Sequence, residues 1–121
     1  MRRRFMKSKI HRARVTGADL NYEGSISLDP RLMKEADIAD NEQVAIYNLN
    51  NGARFETYAI PGGEGEVCLN GAGARLAYPG DLIIIVTYAD YEDQELPDHK
   101  PVVVFASESE LFTSNGSEER R

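Results

Sequence analysis

The sequence has few of the residues that build disulfide frameworks or metal sites. It contains one cysteine, Cys68, and two histidines, His11 and His99, among 121 residues. One thiol excludes an internal disulfide, and so few sulfur and imidazole ligands give no basis for a zinc site. We therefore expect no bound metal and a reducing, cytoplasmic location.

Long apolar segments and an excess of positive charge are also missing. The longest apolar run, Leu82–Val86, is far shorter than the roughly 20 residues that cross a bilayer. Lys7 and Lys9 interrupt the segment where a secretory signal would be apolar. The net charge of -6 and the pI near 4.9 disfavour non-specific binding to nucleic acid or anionic membranes. We expect neither partner.

The charge that is present is unevenly distributed. Residues 1–24 carry seven basic and two acidic side chains, a balance of +5, while residues 25–121 carry seven basic and eighteen acidic ones, a balance of -11. The two parts therefore have opposite charge, and opposite charges favour contact between them.

Short β-strands with little helix dominate the pattern, and in a single domain of this size their edges are best satisfied by a closed barrel. Asp29 and Pro30 predict the start of a short helix that ends near Ala36. Asn51-Gly52 predicts a two-residue type I′ hairpin turn. Residues 107–121 are rich in Ser, Glu, Asn and Gly and predict a flexible tail. The six or seven predicted strands are residues 9–15, 26–28, 44–49, 53–60, 67–69, 82–88 and 101–105, and residues 90–100 are an acidic loop or short helix.

Strand periodicity gives two further expectations. In residues 9–15, Ile10, Arg12 and Arg14 fall on one face and Lys9, His11, Ala13 and Val15 on the other. In the strand at 53–60, Arg54, Glu56 and Tyr58 share a face, opposite Phe55, Thr57 and Ala59. Arg54 as a bidentate clamp and Tyr58 as a proton donor could together bind a carboxylate ligand.

No single motif identifies a function. The sequence has no Ser-His-Asp spacing, zinc signature or Walker loop. The Gly-rich segments at 62–65 and 71–73 could bind an anion through backbone N–H groups, although such loops are more often simple turns. Gly24-Ser25 is by itself an ordinary loop dipeptide.

Four segments taken together are more specific. In order and in spacing they resemble the pyruvoyl-dependent aspartate decarboxylase family, and the resemblance runs from about Met6 to Val86. The segments are Lys7–Arg12, Thr16–Ser25, Asn51–Tyr58 and Asn70–Ala74.

The resemblance implies an all-β fold, a six-stranded double-psi β-barrel with short helices, assembled as a homotetramer. It also implies that the chain is made as a proenzyme that cleaves itself between Gly24 and Ser25. Residues 1–24 and 25–121 would be the products, and Ser25 would become a covalent pyruvoyl group. The family resemblance does not say whether an accessory maturation factor takes part.

The implied reaction is decarboxylation of L-aspartate to β-alanine and CO₂, a step that supplies pantothenate biosynthesis. The pyruvoyl group would bind the substrate amine as a Schiff base, with no pyridoxal phosphate. Tyr58 matches the proton donor of the family, and Thr57 matches a substrate-binding position that also contributes to self-cleavage. The remaining matches are substrate-binding positions: Gly71, Ala72, Gly73, Arg54, Lys9 and His11.

Two features fit this family less simply. Thr57 and Tyr58 should face opposite sides of a regular strand, which a site between two subunits would explain. Gly73 stands where the family has alanine. The alternatives are a non-catalytic β-barrel that binds partner proteins and a pyruvoyl decarboxylase for another acidic amino acid such as glutamate.

Overall fold

The computed structural model describes residues 1–106, and the expected tail at 107–121 lies outside the described residues. The secondary structure is mainly β. The strands are β1 (Arg2–Arg14), β2 (Gly17–Asp19), β3 (Ser25–Leu28), β4 (Gln43–Asn48), β5 (Arg54–Pro61), β6 (Val67–Asn70), β7 (Leu82–Glu92) and β8 (Val102–Phe105). One α-helix, α1 (Pro30–Glu35), and two 3₁₀ segments, Gly71–Arg75 and Asp93–Asp98, complete the described chain.

The eight strands form one mixed sheet in the order β2-β6-β3-β5-β4-β7-β1-β8. Three pairs are parallel, β1 with β8, β2 with β6, and β3 with β5, and the other neighbours are antiparallel. The all-β class is confirmed, and the arrangement is consistent with the expected double-psi barrel. The short strands β2 and β8 form the two edges of the sheet. The total of eight strands within residues 1–106 exceeds the six or seven predicted from sequence because the three-residue strand β2 was not predicted.

Aliphatic side chains from most strands and from α1 fill a single core. The largest fully buried ones include Ile10, Ile26, Leu32, Ile46 and Ile83. Burial of each stabilises the fold by about 1.5–3 kcal/mol. None of the helical segments in residues 1–106 is long and apolar enough to cross a membrane.

The start of α1 agrees with the sequence prediction. The Asp29 side chain accepts a hydrogen bond from the Arg31 backbone N–H at 2.8 Å, and Pro30 occupies the first helical position. A second bond from the Gly65 N–H to Asp29 Oδ2, at 2.7 Å, ties the Gly-rich loop to the helix cap.

The predicted type I′ turn at Asn51-Gly52 is wrong. The hairpin joins β4 and β5 as expected, but only Gly52 has a positive φ, +78°, whereas a type I′ turn needs two. The loop is longer because asparagine side chains bond its backbone: Asn48 Oδ1 accepts from the Asn50 N–H and Asn51 Oδ1 from the Ala53 N–H, each at 2.8 Å.

The predicted alternation in residues 9–15 is also wrong after Ile10. The pairing of β1 with β7 shifts between Ile10 and Ala13, and Arg12 has a φ of +63°. This bulge reverses the faces, so that Ile10 and then Ala13 and Val15 are buried. β7 continues to Glu92, so residues 90–92 are strand and not the predicted acidic loop or short helix. They pair with an extension of β1 that begins at Arg2 and was not predicted as a strand.

Candidate active site around Ser25

Ser25 is the first residue of β3, and it is only 1% exposed, whereas the preceding Gly24 is exposed. Its hydroxyl donates a hydrogen bond to the Glu23 carbonyl oxygen at 2.8 Å. Ser25 Oγ also accepts a bond from Asn70 Nδ2 at 3.0 Å. The hydroxyl at the predicted cleavage junction is thus buried, and it both donates and accepts a hydrogen bond.

Asn70 has no assigned role in the sequence analysis, although it begins one of the four matching segments. It is opposite Ser25 in the antiparallel β3–β6 pairing and is 3% exposed. Its Nδ2 also donates to Ser27 Oγ at 2.9 Å, and its Oδ1 lies 3.4 Å from Cys68 Sγ. In the sequence, the only sign of a role for Asn70 is a polar residue at the end of an apolar strand. That its partner is Ser25 becomes known only from the register of the β3–β6 pairing.

Gly71 lies directly against Gly24. Its φ is +70°, and a Cβ at this position would come within 2.7 Å of Gly24 Cα and 2.9 Å of Gly24 N. Real Cβ atoms do not approach backbone this closely, so the packing requires glycine on both counts. The small-residue segment therefore shapes the backbone at the predicted cleavage junction.

The other small residues of this segment lie in the 3₁₀ turn that follows. Ala72 is exposed, and Gly73 is half-buried against the Phe55 ring. A Cβ on Gly73 would lie 3.0 Å from Phe55 Cε2. Gly73, which stands where the family has alanine, thus leaves room for the edge of the Phe55 ring.

Tyr58 and Thr57 lie on β5, the strand parallel to β3. Ile26 pairs with Ala59, so Ser25 and Tyr58 each directly precede that pair. Tyr58 is 39% exposed and Thr57 is half-buried. The predicted facing is confirmed: Arg54, Glu56 and Tyr58 are on the exposed side of β5, and Ala59 is buried.

Arg54 packs on an aromatic pair that the sequence analysis missed. Its guanidinium carbon lies 4.1 Å from the centroid of the Tyr47 ring, within cation–π range. The Tyr47 and Tyr88 hydroxyls are 2.8 Å apart. That hydrogen bond, followed by burial, raises the pKa of Tyr88. Arg54 therefore packs on the Tyr47 ring, whose hydroxyl is hydrogen-bonded to Tyr88.

Lys9 and His11 lie on β1, which β5, β4 and β7 separate from β3 in the sheet. No strand pairing, ion pair or hydrogen bond within residues 1–106 joins either residue to Ser25 or Tyr58. The His11 ring lies edge-on to Phe105, with 5.5 Å between centroids, and its buried Nδ1 has no hydrogen-bond partner. Burial, then the charges of Lys9 and Arg12, lower the pKa of His11.

Comparison with known proteins agrees with this geometry. The sequence profile of the family described as "Aspartate decarboxylase" matches residues 1–113. The chain belongs to the aspartate decarboxylase family. It is 57% identical over 111 residues to a Thermoanaerobacter pseudethanolicus protein named aspartate 1-decarboxylase, covering 90% of this chain and 95% of the relative.

Other relatives of the aspartate decarboxylase family give the same picture. A protein of this name from Syntrophobacter fumaroxidans is 59% identical over 106 residues, which is 86% of each chain. Another, from Heliobacterium modesticaldum, is 51% identical and covers 99% of this chain and 92% of the relative. The similarity extends over nearly the whole length of these proteins.

Proposed function

We propose that the chain is a proenzyme that cleaves its own Gly24–Ser25 bond and then decarboxylates L-aspartate to β-alanine and CO₂. Family membership supports the reaction, because the matched relatives are named aspartate 1-decarboxylase. The observation that carries the proposal is the buried, doubly hydrogen-bonded hydroxyl of Ser25, directly after an exposed glycine. The product β-alanine would supply pantothenate biosynthesis.

The cleavage follows from the residue types at the junction. Ser25 Oγ attacks the Gly24 carbonyl carbon, the C–N bond breaks, and the hydroxyl proton passes to the nitrogen to give an ester. Loss of the Ser25 Cα proton then breaks the Cβ–O bond, leaving a Gly24 carboxylate and dehydroalanine. Water adds and ammonia leaves, so residue 25 ends as a pyruvoyl group and no oxidant is needed.

The residues at the junction fit such a group. Asn70 places an amide N–H at residue 25, and the missing Cβ of Gly71 leaves space beside Gly24. A pyruvoyl ketone at this position supplies an electron sink for the departing α-carboxylate. No three His, Cys, Asp or Glu side chains within residues 1–106 are grouped to hold a metal ion.

The cationic side chains are the proposed carboxylate-binding groups. Neither Lys9 nor Arg54 forms an ion pair with an acidic side chain of residues 1–106, whereas Lys7 pairs with Glu42 at 3.0 Å. Arg54 can bind a carboxylate in bidentate fashion, and the unpartnered Nδ1 of His11 is free to bond a ligand or a second copy. The backbone of Gly71, Ala72 and Gly73 and the Thr57 hydroxyl are the proposed remaining contacts.

Tyr58 is the proposed proton donor to the decarboxylated carbon. Its place beside Ser25 on the parallel strand supports this role. A phenolic O–H can donate a proton to a carbanion.

We also propose that the working unit is a homotetramer in the cytoplasm. Lys9 and His11 are three strands away from β3 within one chain, and a second copy would bring them to Ser25. Residues 1–24 would remain bound after cleavage, because β1 pairs with β7 and β8 and β2 pairs with β6. Ion pairs such as Arg3–Asp93 at 2.8 Å add a smaller contribution.

Intact mass under denaturing conditions, measured after incubation of the purified chain, tests this function. Cleavage predicts fragments of about 2.9 and about 10.6 kDa, the larger one about 17 Da lighter than hydrolysis alone would give. The same sample, assayed with aspartate and in parallel with glutamate, should release CO₂ from aspartate. A single intact mass, unchanged by cell extract, would contradict self-processing and favour a binding barrel.

Two variants separate cleavage from turnover. Ser25→Ala removes the nucleophile and should give neither fragments nor CO₂. Tyr58→Phe keeps the ring and loses the proton, so it should cleave fully and decarboxylate at least about a hundredfold more slowly. A cleaved, active Ser25→Ala protein would remove the mechanism, and undiminished turnover in Tyr58→Phe would assign the proton to another donor.

A further inference from the structure

The orientation of the Asn70 amide follows from the hydroxyl of Ser25. That hydroxyl has one proton, and it donates this proton to the Glu23 carbonyl oxygen. Ser25 Oγ must therefore accept from Asn70, so the NH₂ end of the amide faces β3 and the oxygen end faces away. In the reversed orientation two acceptors would face each other across about 3 Å.

The oxygen end of the amide faces the Cys68 thiol. Cys68 Sγ donates to Asn70 Oδ1 at 3.4 Å, and its other acceptor, the Leu69 carbonyl oxygen, is more distant at 4.0 Å. No other donor within residues 1–106 bonds to Asn70 Oδ1. Asn70 is 3% exposed, so a lost partner would leave a buried acceptor unsatisfied.

The surroundings of Cys68 keep the thiol in place and protonated. Gly17 pairs with Cys68 in the parallel β2–β6 ladder, and a Cβ on Gly17 would lie 3.3 Å from Sγ. Burial, then the carboxylates of Glu66 and Asp19, raise the pKa of Cys68. The thiol therefore remains a donor at neutral pH.

We propose that Cys68 is a positioning residue for self-cleavage: its hydrogen bond to Asn70 Oδ1 selects the amide orientation that presents Nδ2 to Ser25 Oγ. The proposal rests on the self-cleavage described above. Cys68 acts through Asn70 and contacts neither Gly24 nor Ser25 in the described hydrogen bonds. The proposal predicts that the cleavage rate depends on whether the side chain at position 68 can donate a hydrogen bond.

The test compares Cys68→Ala, which removes the donor, with Cys68→Ser, which keeps one. The cleavage rate is followed by intact mass, and thermal unfolding checks that each chain is folded. Loss of one neutral hydrogen bond predicts about threefold to tenfold slower cleavage in Cys68→Ala. Cys68→Ser should stay within about twofold of the parent rate, since a hydroxyl donates to the same oxygen.

A second readout is independent of cleavage. Hydrogen exchange of the Asn70 side-chain NH₂, followed by NMR, should be slow in the parent chain and in Cys68→Ser and faster in Cys68→Ala. Equal cleavage rates in the parent and Cys68→Ala, or equally slow cleavage in Cys68→Ser, would overturn the role of Cys68. A parent chain that never cleaves would contradict only the proposed self-processing, and equal Asn70 exchange in all three chains would then refute the positioning role.

Discussion

Two groups of polar residues in this chain differ in how completely they are satisfied. Around Ser25, the hydroxyls and the Asn70 amide bond to one another and to the backbone, and all of them are buried. On β1 and β5, Lys9 and Arg54 have no acidic partner among residues 1–106, and His11 Nδ1 is buried without a hydrogen bond. The first group is complete in one chain, whereas the second is not.

This difference suggests that the two proposed steps have different requirements. Cleavage needs a hydroxyl, a neighbouring carbonyl and a fixed geometry, all of which the junction contains. Binding of a dicarboxylate needs unpaired positive charge, and a buried polar atom without a partner costs about 1–3 kcal/mol unless something bonds it. We infer that substrate or a second copy of the chain satisfies the second group.

The largest expected effect comes from Gly71→Ala, which changes the backbone packing beside the first group and leaves the side chains of Lys9, His11 and Arg54 unaltered. The added Cβ meets the Gly24 backbone at 2.7 Å, and the residue must keep a φ of +70°. Because backbone at the junction cannot yield without moving the Gly24 carbonyl, we expect no measurable cleavage by intact mass over the time in which the parent chain cleaves completely.

Gly52→Ala is the matched control for this substitution. Gly52 has a similar φ of +78°, but nothing lies within 4 Å of its Cβ position. It should lose about 1–2 kcal/mol of stability from backbone strain alone and cleave at the parent rate. Normal cleavage in Gly71→Ala would show that the contact with Gly24 does not control processing.

The sequence predicts local structure better than it predicts which strands meet. Asp29 and Pro30 carry their own helix-start signal, and the two faces of β5 follow from period two. The bulge at Arg12 could not be predicted, because nothing in the sequence indicates that this arginine adopts a positive φ. It is tertiary pairing with β7 that fixes this bulge.

In the candidate site, too, some residues could be predicted from the sequence, and others are identified only by tertiary contacts. Gly24, Ser25 and Tyr58 could be named from the family pattern. The structure places Ser25 and Tyr58 on the neighbouring parallel strands β3 and β5, and Gly24 directly before β3. The contributions of Asn70 and Cys68 depend on the antiparallel register of β3 and β6, a contact between residues about forty positions apart. The role of Tyr47 beneath Arg54 depends likewise on a cross-strand contact.

A smaller effect, restricted to the second group, is expected on dilution. If a second copy supplies Lys9 and His11, CO₂ release per chain should fall as the processed assembly dissociates, measured beside sedimentation equilibrium at the same concentrations. Cleavage of the proenzyme should continue at its first-order rate in the monomer, because the junction is complete in one chain. Full turnover by monomers would place the whole site within a single subunit.

The smallest expected effect is a pH dependence of stability from His11. Burial and the charges of Lys9 and Arg12 hold the pKa of His11 below its ordinary value of 6.5 in the folded chain. Between those two pKa values the unfolded chain binds a proton that the folded chain does not, so the free energy of unfolding should decrease as the pH falls below about 6.5.

Urea unfolding of the parent chain and His11→Gln from pH 7.5 to 3 measures this contribution. The glutamine variant should show a flatter profile between pH 7.5 and 5, while loss of stability below about pH 4 should persist in both chains. That acid loss has other sources: hydrogen bonds from Asn48 and from the Tyr78 backbone lower the pKa of Asp81. An unchanged profile in His11→Gln would mean that His11 is not desolvated in solution, and the contrast between the two groups would then rest on Lys9 and Arg54 alone.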